Sequence, residues 1–181
     1  IESIMKEFGD GLDIISVYSA VNSAGNESCA PIKPVRLTED FEQLRDKTTK
    51  MGGIKVLLLN MGPVSQHKAR ADFSTGFFEV GGFNVIGDKM FDSADDAVNE
   101  AISASPDVCV ICSTDDTYPE LVPPIAKGIK LKNKGIQVIL AGAPAAEYKD
   151  SYIEAGVDDF IHIRSNCLEV LEKIQKERGN K

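Results

Sequence analysis

Three groups of side chains in this sequence are of types that do chemistry. The stretch Asn60-Met-Gly-Pro-Val-Ser-Gln-His-Lys-Ala-Arg70 carries His67. The stretch Ser113-Thr-Asp-Asp-Thr-Tyr118 carries two adjacent carboxylates, Asp115 and Asp116. Cys109 and Cys112 form a CxxC. A histidine can ligate a metal or move a proton, and it can also simply face solvent. From the residues alone all three roles are open for His67. The paired carboxylates read as solvated or helix-capping rather than catalytic. The CxxC lies in the β-branched run Pro106-Asp-Val-Cys-Val-Ile-Cys112, where residues three apart point to opposite faces of a strand. The sulfurs therefore diverge, and both thiols are expected in the core. A second CxxC is missing, and reduced thiols fit an intracellular, cytoplasmic protein. Cys29 and Cys167 complete the cysteines.

Five βα units position these groups. Strands are expected at 54–59, 83–86, 107–112, 136–140 and 159–163. Helices are expected at 69–80, from Ser93, at 119–133, at 145–155 and near the C-terminus. The helix after Ser93 has Asp96 three residues on, a short form of the capping box. Pro123-Pro124 is expected in or near the first turn of its helix, where a missing N–H does least harm. His162 is placed on the fifth strand in a structural or interfacial role. Near-continuous apolar strands alternating with helices give an α/β fold with a parallel sheet covered on both faces. The flavodoxin-like (Rossmann-like) order 2-1-3-4-5 fits five strands best. Residues 51–181 make this domain. Residues 1–50 form a linker segment without a core of its own: 12–18 as strand or helix end, 22–35 as loop, and Thr38 to Lys50 as helix. The chain begins at Ile1, read as part of something longer.

Composition excludes other classes. Twenty Lys and Arg against twenty-eight Asp and Glu give a net charge of −8. A binder of nucleic acid needs basic stretches to neutralise phosphates, and there are none. Crossing a membrane needs about 20 consecutive apolar residues, and no such run occurs. Two histidines leave little room for a multi-histidine metal site.

Ligands of open parallel sheets bind at the carboxyl ends of the strands, at the switch point. Here the loops after the first, third and fourth strands meet there. They lack GxxxxGK[ST] and GxGxxG. Asn60 and Met61 stand where a phospho-receiver carries acids. The loop at 60–70 is long for an α/β fold, where about two to six residues are usual, which points to a functional or formerly functional loop.

Three stretches carry a resemblance. They are Asn60 to Phe73, Cys112-Ser-Thr-Asp-Asp-Thr-Tyr-Pro-Glu-Leu-Val-Pro123 and Phe160-Ile-His-Ile-Arg-Ser-Asn166. From Met51 on, the chain resembles the C-terminal cobalamin-binding-type domain of the methylmalonyl-CoA mutase family, in particular its small subunits. Pro34 to Arg45 resembles the connector after that enzyme's barrel, which makes residues 1–33 the tail of the barrel or its linker.

The resemblance implies a cobalamin site with three patterns. In DxHxxG the His ligates cobalt, the Asp fixes its tautomer, and the Gly leaves room for the nucleotide tail. Here Val64, Gln66 and Ala69 take those places, and His67 is one residue out of register. A slip by one residue would present His67 but put Ser65 and Arg70 at the Asp and Gly positions. SxL becomes Cys112-Ser113-Thr114, a thiol for the hydroxyl. GG becomes Ala141-Gly142, adding a methyl where backbone must approach closely. The cofactor-site positions are thus Gln66, His67, Cys112, Ser113, Ala141 and Gly142, all in degenerate form. The expectation is a non-catalytic domain without catalytic residues, metal or its own cofactor. Adenosylcobalamin and the isomerisation of methylmalonyl-CoA and succinyl-CoA would then belong to the holoenzyme, with the large catalytic subunit as heterodimer partner. The alternatives are a working corrinoid carrier using His67, in which case that residue binds cobalt, and a flavodoxin-like regulatory module.

Overall fold

The computed structural model describes residues 36–179. The expectations for 1–33, for 12–18 and 22–35, and for Cys29 lie outside the described residues. The described residues belong to one compact unit, which starts at Arg36.

Its elements in order are α1 (Glu39–Lys50), β1 (Lys55–Met61), α2 (Val64–Glu79), β2 (Asn84–Ile86), β3 (Met90–Phe91), α3 (Ala94–Ala104), β4 (Val108–Cys112), α4 (Tyr118–Lys132), β5 (Gln137–Ala141), α5 (Ala146–Ala155), β6 (Asp159–Ile161) and α6 (Cys167–Gly179). All pairings are parallel, in the order β2-β1-β4-β5-β6, with β3 also on β1. The flavodoxin-like expectation therefore holds with one correction, six strands for five. β2 and β3 lie in succession along the same edge of β1. The edge is interrupted at Gly87, where an added Cβ would meet Leu58 Cδ1 at 2.8 Å. Only glycine lets the backbone pass so close.

The strands are buried on both sides, which is why they read as apolar runs rather than alternations. Leu57, Leu59, Cys109, Ile111, Val138 and Leu140 face one core with α3, α4 and α5. Val56, Leu58, Val110, Cys112, Ile139 and Ile161 face the other with α1, α2 and α6. Cys109 and Cys112 fall in different cores, as the strand period requires. Both thiols are free, and burial pushes each up to about 12.

α1 is held by buried polar contacts as well as by Leu44. Gln175 Nε2 donates to Leu44 O at 2.8 Å and to Thr48 Oγ1 at 2.7 Å. Thr48 Oγ1 donates to Gly81 O at 2.8 Å. Ser93 caps α3 as expected. Its Oγ accepts from Asp96 N at 3.1 Å and donates to Asp96 Oδ2 at 2.7 Å.

Three local expectations are corrected. The long loop at 60–70 is a two-residue turn, because β1 runs through Met61 and α2 starts at Val64. Pro63 forms the N-cap in extended conformation (φ −65°, ψ 158°), which suits the entry to a helix. Pro123 and Pro124 lie inside α4, beyond its first turn, and Pro119 occupies the turn instead. Pro123 is half-buried and Pro124 exposed, so water can reach carbonyls that lose their N–H partners. His162 is off the strand, which ends at Ile161. It sits in a turn where its N–H donates to Ser165 Oγ at 3.0 Å and its Nδ1 accepts from Arg164 N at 3.1 Å.

Candidate functional site at the carboxyl end of the sheet

The carboxyl ends of β1, β4 and β5 converge on one patch. At β1, Asn60 is buried, and its amide donates to Gly87 O at 3.0 Å and Lys89 O at 3.1 Å. That fastens the interrupted edge. Gly62 follows with φ +72°, a region that favours glycine. An added Cβ there would collide with Gln66 Oε1.

His67 is 5% exposed on the first turns of α2. Its Nδ1 is 3.0 Å from Gly62 O, which makes Nδ1 the protonated nitrogen, since a carbonyl only accepts. The ring is turned back on its own loop. With Asn60 it lines a cleft of about 160 Å³. Gln66, one position earlier, is half-buried above the same turn.

Between β4 and β5 the key residue is Tyr118. It is 2% exposed. Its hydroxyl donates to Ala141 O at 2.6 Å and accepts from Ser113 N at 3.1 Å. It thereby ties the ends of the two strands together. Burial pushes the phenol well above its ordinary pKa, so it stays a neutral donor. The Ser113 hydroxyl is fully buried and is shared with Thr117 Oγ1 at 2.8 Å and Met61 O at 3.4 Å. Cys112 Sγ lies 3.8 Å from Ser74 Oγ. Above Tyr118, Arg70 Nη2 donates to Asp115 Oδ1 at 3.0 Å, bridging α2 to the loop after β4. Gly142 completes the patch: a Cβ on it would lie 3.2 Å from Tyr118 Cε2.

The patch thus brings Ser113, Ala141 and Gly142 together around Tyr118. Gln66 and His67 sit on a separate turn, and Cys112 points into the core. In the sequence Tyr118 closes the Ser113–Tyr118 loop that lines the site, but its part in tying the two strand ends was missed. Its signal was the spacing 118, 122, 125, 129, which puts it on the buried stripe of α4. Among the described residues no cluster of three or more His, Cys, Asp or Glu could hold a metal ion. No described helix is long and apolar enough to cross a membrane.

No protein-family model matches the chain. Over 155 residues it is 34% identical to the methylmalonyl-CoA mutase small subunit of Porphyromonas gingivalis, covering 84% of this chain and 24% of that protein. The chain is homologous to methylmalonyl-CoA mutase small subunits. The small subunit of Streptomyces virginiae is 31% identical over 129 residues, covering 68% of this chain and 21% of that protein. The chain therefore spans about a quarter of the length of these curated small subunits. Among solved structures it is similar to the CheY-like protein TadZ of Pseudomonas aeruginosa, with TM-score 0.54 and 15% identity, covering 70% of this chain and 94% of that one. It is also similar to the NarL receiver domain of Mycobacterium tuberculosis, with TM-score 0.51 and 15% identity, covering 71% and 98%. At that identity the likeness concerns the fold alone. This chain has Asn60 and Met61 at the end of β1 and Cys112-Ser113 at the end of β4, with no carboxylate at either strand end.

Proposed function

We propose that residues 51–181 form the cobalamin-binding-like domain of a methylmalonyl-CoA mutase small subunit, and that residues 1–50 are the connector from a preceding barrel. The domain's own cobalamin site is degenerate, and it serves as a structural partner of a large catalytic subunit in a cytoplasmic heterodimer. Isomerisation of methylmalonyl-CoA and succinyl-CoA, with adenosylcobalamin, belongs to the holoenzyme.

The observation that carries this reading is the position of Tyr118. Its hydroxyl bridges Ser113 N and Ala141 O, at the two strand ends where the resemblance would put the nucleotide tail. The Arg70–Asp115 pair lies above the same place. The lower-ligand side fits no better. His67 is buried and anchored to Gly62 O, and Gln66 has an amide, a poor ligand for cobalt. On this reading the residues present do not fit the group.

What remains for the domain is assembly, and a binding experiment tests that. The chain is mixed with a methylmalonyl-CoA mutase large subunit and run on a sizing column with light scattering. Co-elution as a one-to-one complex supports the role, and separate elution counts against it.

A further inference from the structure

A cleft of about 160 Å³ lies between the first half of α2 and Gly87, where the edge of the sheet is interrupted. Its polar lining is Asn60, His67, Lys68 and Asp72. Asn60 is 3% exposed. Its amide nitrogen donates to Gly87 O at 3.0 Å and to Lys89 O at 3.1 Å, which uses both hydrogens and fixes which end is the oxygen. Oδ1 is then left buried without a hydrogen-bond partner. A buried acceptor in that state is uncommon, and it points to something that completes it. His67 is 5% exposed, and the bond from its Nδ1 to Gly62 O at 3.0 Å puts the remaining lone pair on Nε2. Nε2 makes no hydrogen bond in the described structure. At the mouth, Lys68 Nζ pairs with Asp72 Oδ2 at 2.9 Å, and both side chains are mostly exposed (64% and 65%). An exposed pair of this kind holds its partners weakly.

These features select the charge and size of an occupant. Both buried groups present lone pairs, and Asp72 adds a carboxylate at the mouth. An anion would meet all three. A histidine whose Nδ1–H is held by a main-chain carbonyl is fixed in tautomer and orientation, which is how metal-ligating histidines are held. An imidazole nitrogen with oxygen ligands suits Zn²⁺ and ions like it. The volume holds an ion and three or four waters, at about 30 Å³ each. We propose that this cleft is a site for a divalent transition-metal ion, ligated by His67 Nε2 and Asn60 Oδ1, with the Asp72 carboxylate turning from Lys68 to join them and water completing the shell. One ligand is an amide, so the set differs from the larger His, Cys, Asp and Glu clusters that the described residues lack. The cleft is far too small for a corrin ring, and the site is independent of the mutase reading.

The chain has two histidines, His67 and His162. Long-range ¹H–¹⁵N spectra of the full 181-residue chain therefore report on each ring, with His162 as an internal control. Titration with zinc chloride is expected to change the His67 Nε2 signal in a saturable, one-to-one manner while Nδ1 stays protonated, with a Kd on the order of 0.1 mM. Magnesium, which takes oxygen ligands and keeps its waters, should leave His67 unchanged. Asp72→Asn should weaken zinc binding about fivefold, and Lys68→Ala, which frees Asp72 and removes a positive charge, should tighten it about threefold. Both positions are exposed, so these variants are expected to fold. Asn60→Ala should weaken binding about tenfold, with circular dichroism checking its fold. His67→Ala should leave no saturable site at the cleft. A His67 signal that zinc does not saturate, an equal response of His162 over the same concentrations, or an affinity unchanged in both Asp72→Asn and Lys68→Ala would overturn the proposal.

Discussion

Replacing Tyr118 by Phe removes one oxygen and leaves the ring in place. That oxygen makes two hydrogen bonds, at 2.6 Å to Ala141 O and 3.1 Å to Ser113 N, in a residue 2% exposed. Each bond contributes about 1 kcal/mol net, and a buried donor left without a partner costs about 1–3 kcal/mol. With no cavity opened, the expected loss is about 2–3 kcal/mol, roughly a 5–10 °C fall in Tm for a chain of this size. Urea unfolding followed by circular dichroism measures it. Tyr118→Ala also removes the ring, and a deleted buried aromatic costs about 3–5 kcal/mol, so it should be clearly less stable than Tyr118→Phe. A Phe variant within about 0.5 kcal/mol of the parent, the scale of ordinary surface substitutions, would refute the view that this hydroxyl ties β4 to β5.

Ser93→Ala removes the α3 cap and should cost about 1 kcal/mol in the same urea assay. Gly81→Ala puts a methyl 2.9 Å from Leu171 Cδ1 and 3.1 Å from Leu44 Cδ2; overpacking there should cost about 1–3 kcal/mol. The buried thiols Cys109 and Cys112 have folded-state pKa values near 12, above an ordinary thiol. The unfolded chain therefore loses these protons first as pH rises, so the contribution of these two thiols to stability should be level below about pH 8.5 and be lost from there toward pH 12. Urea midpoints at pH 8 and pH 10 test this, and the fall should be shallower in a Cys109→Ala, Cys112→Ala double variant.

The order of elements was legible because both of its signals are local. Apolar runs such as 54–59 and stripes such as Leu121, Ile125 and Ile129 are visible without knowing the fold. The edge of the sheet was not legible in the same way. Asn60 looks like a loop residue, yet it extends β1, because its amide finds Gly87 and Lys89 from an element nearly thirty positions on. With β1 extended, Pro63 could only open a helix, and His67 moved from a loop into a turn of α2. β3 is two residues long and has no periodicity to read. The proline pair is tolerated inside α4 because it lies toward solvent, a fact that depends on which face packs. Of the candidate positions, Ser113, Ala141 and Gly142 do meet in space. What fills the space between them is Tyr118, whose contacts join residues up to 23 positions apart.

Titration of the chain with hydroxocobalamin, followed by absorbance, tests whether the site is degenerate. The cleft closed by Tyr118 and the anchored His67 predict no saturable spectral change and no base-off, His-on spectrum. Tight binding with that spectrum, lost in His67→Ala, would contradict it and make this domain a working corrinoid carrier.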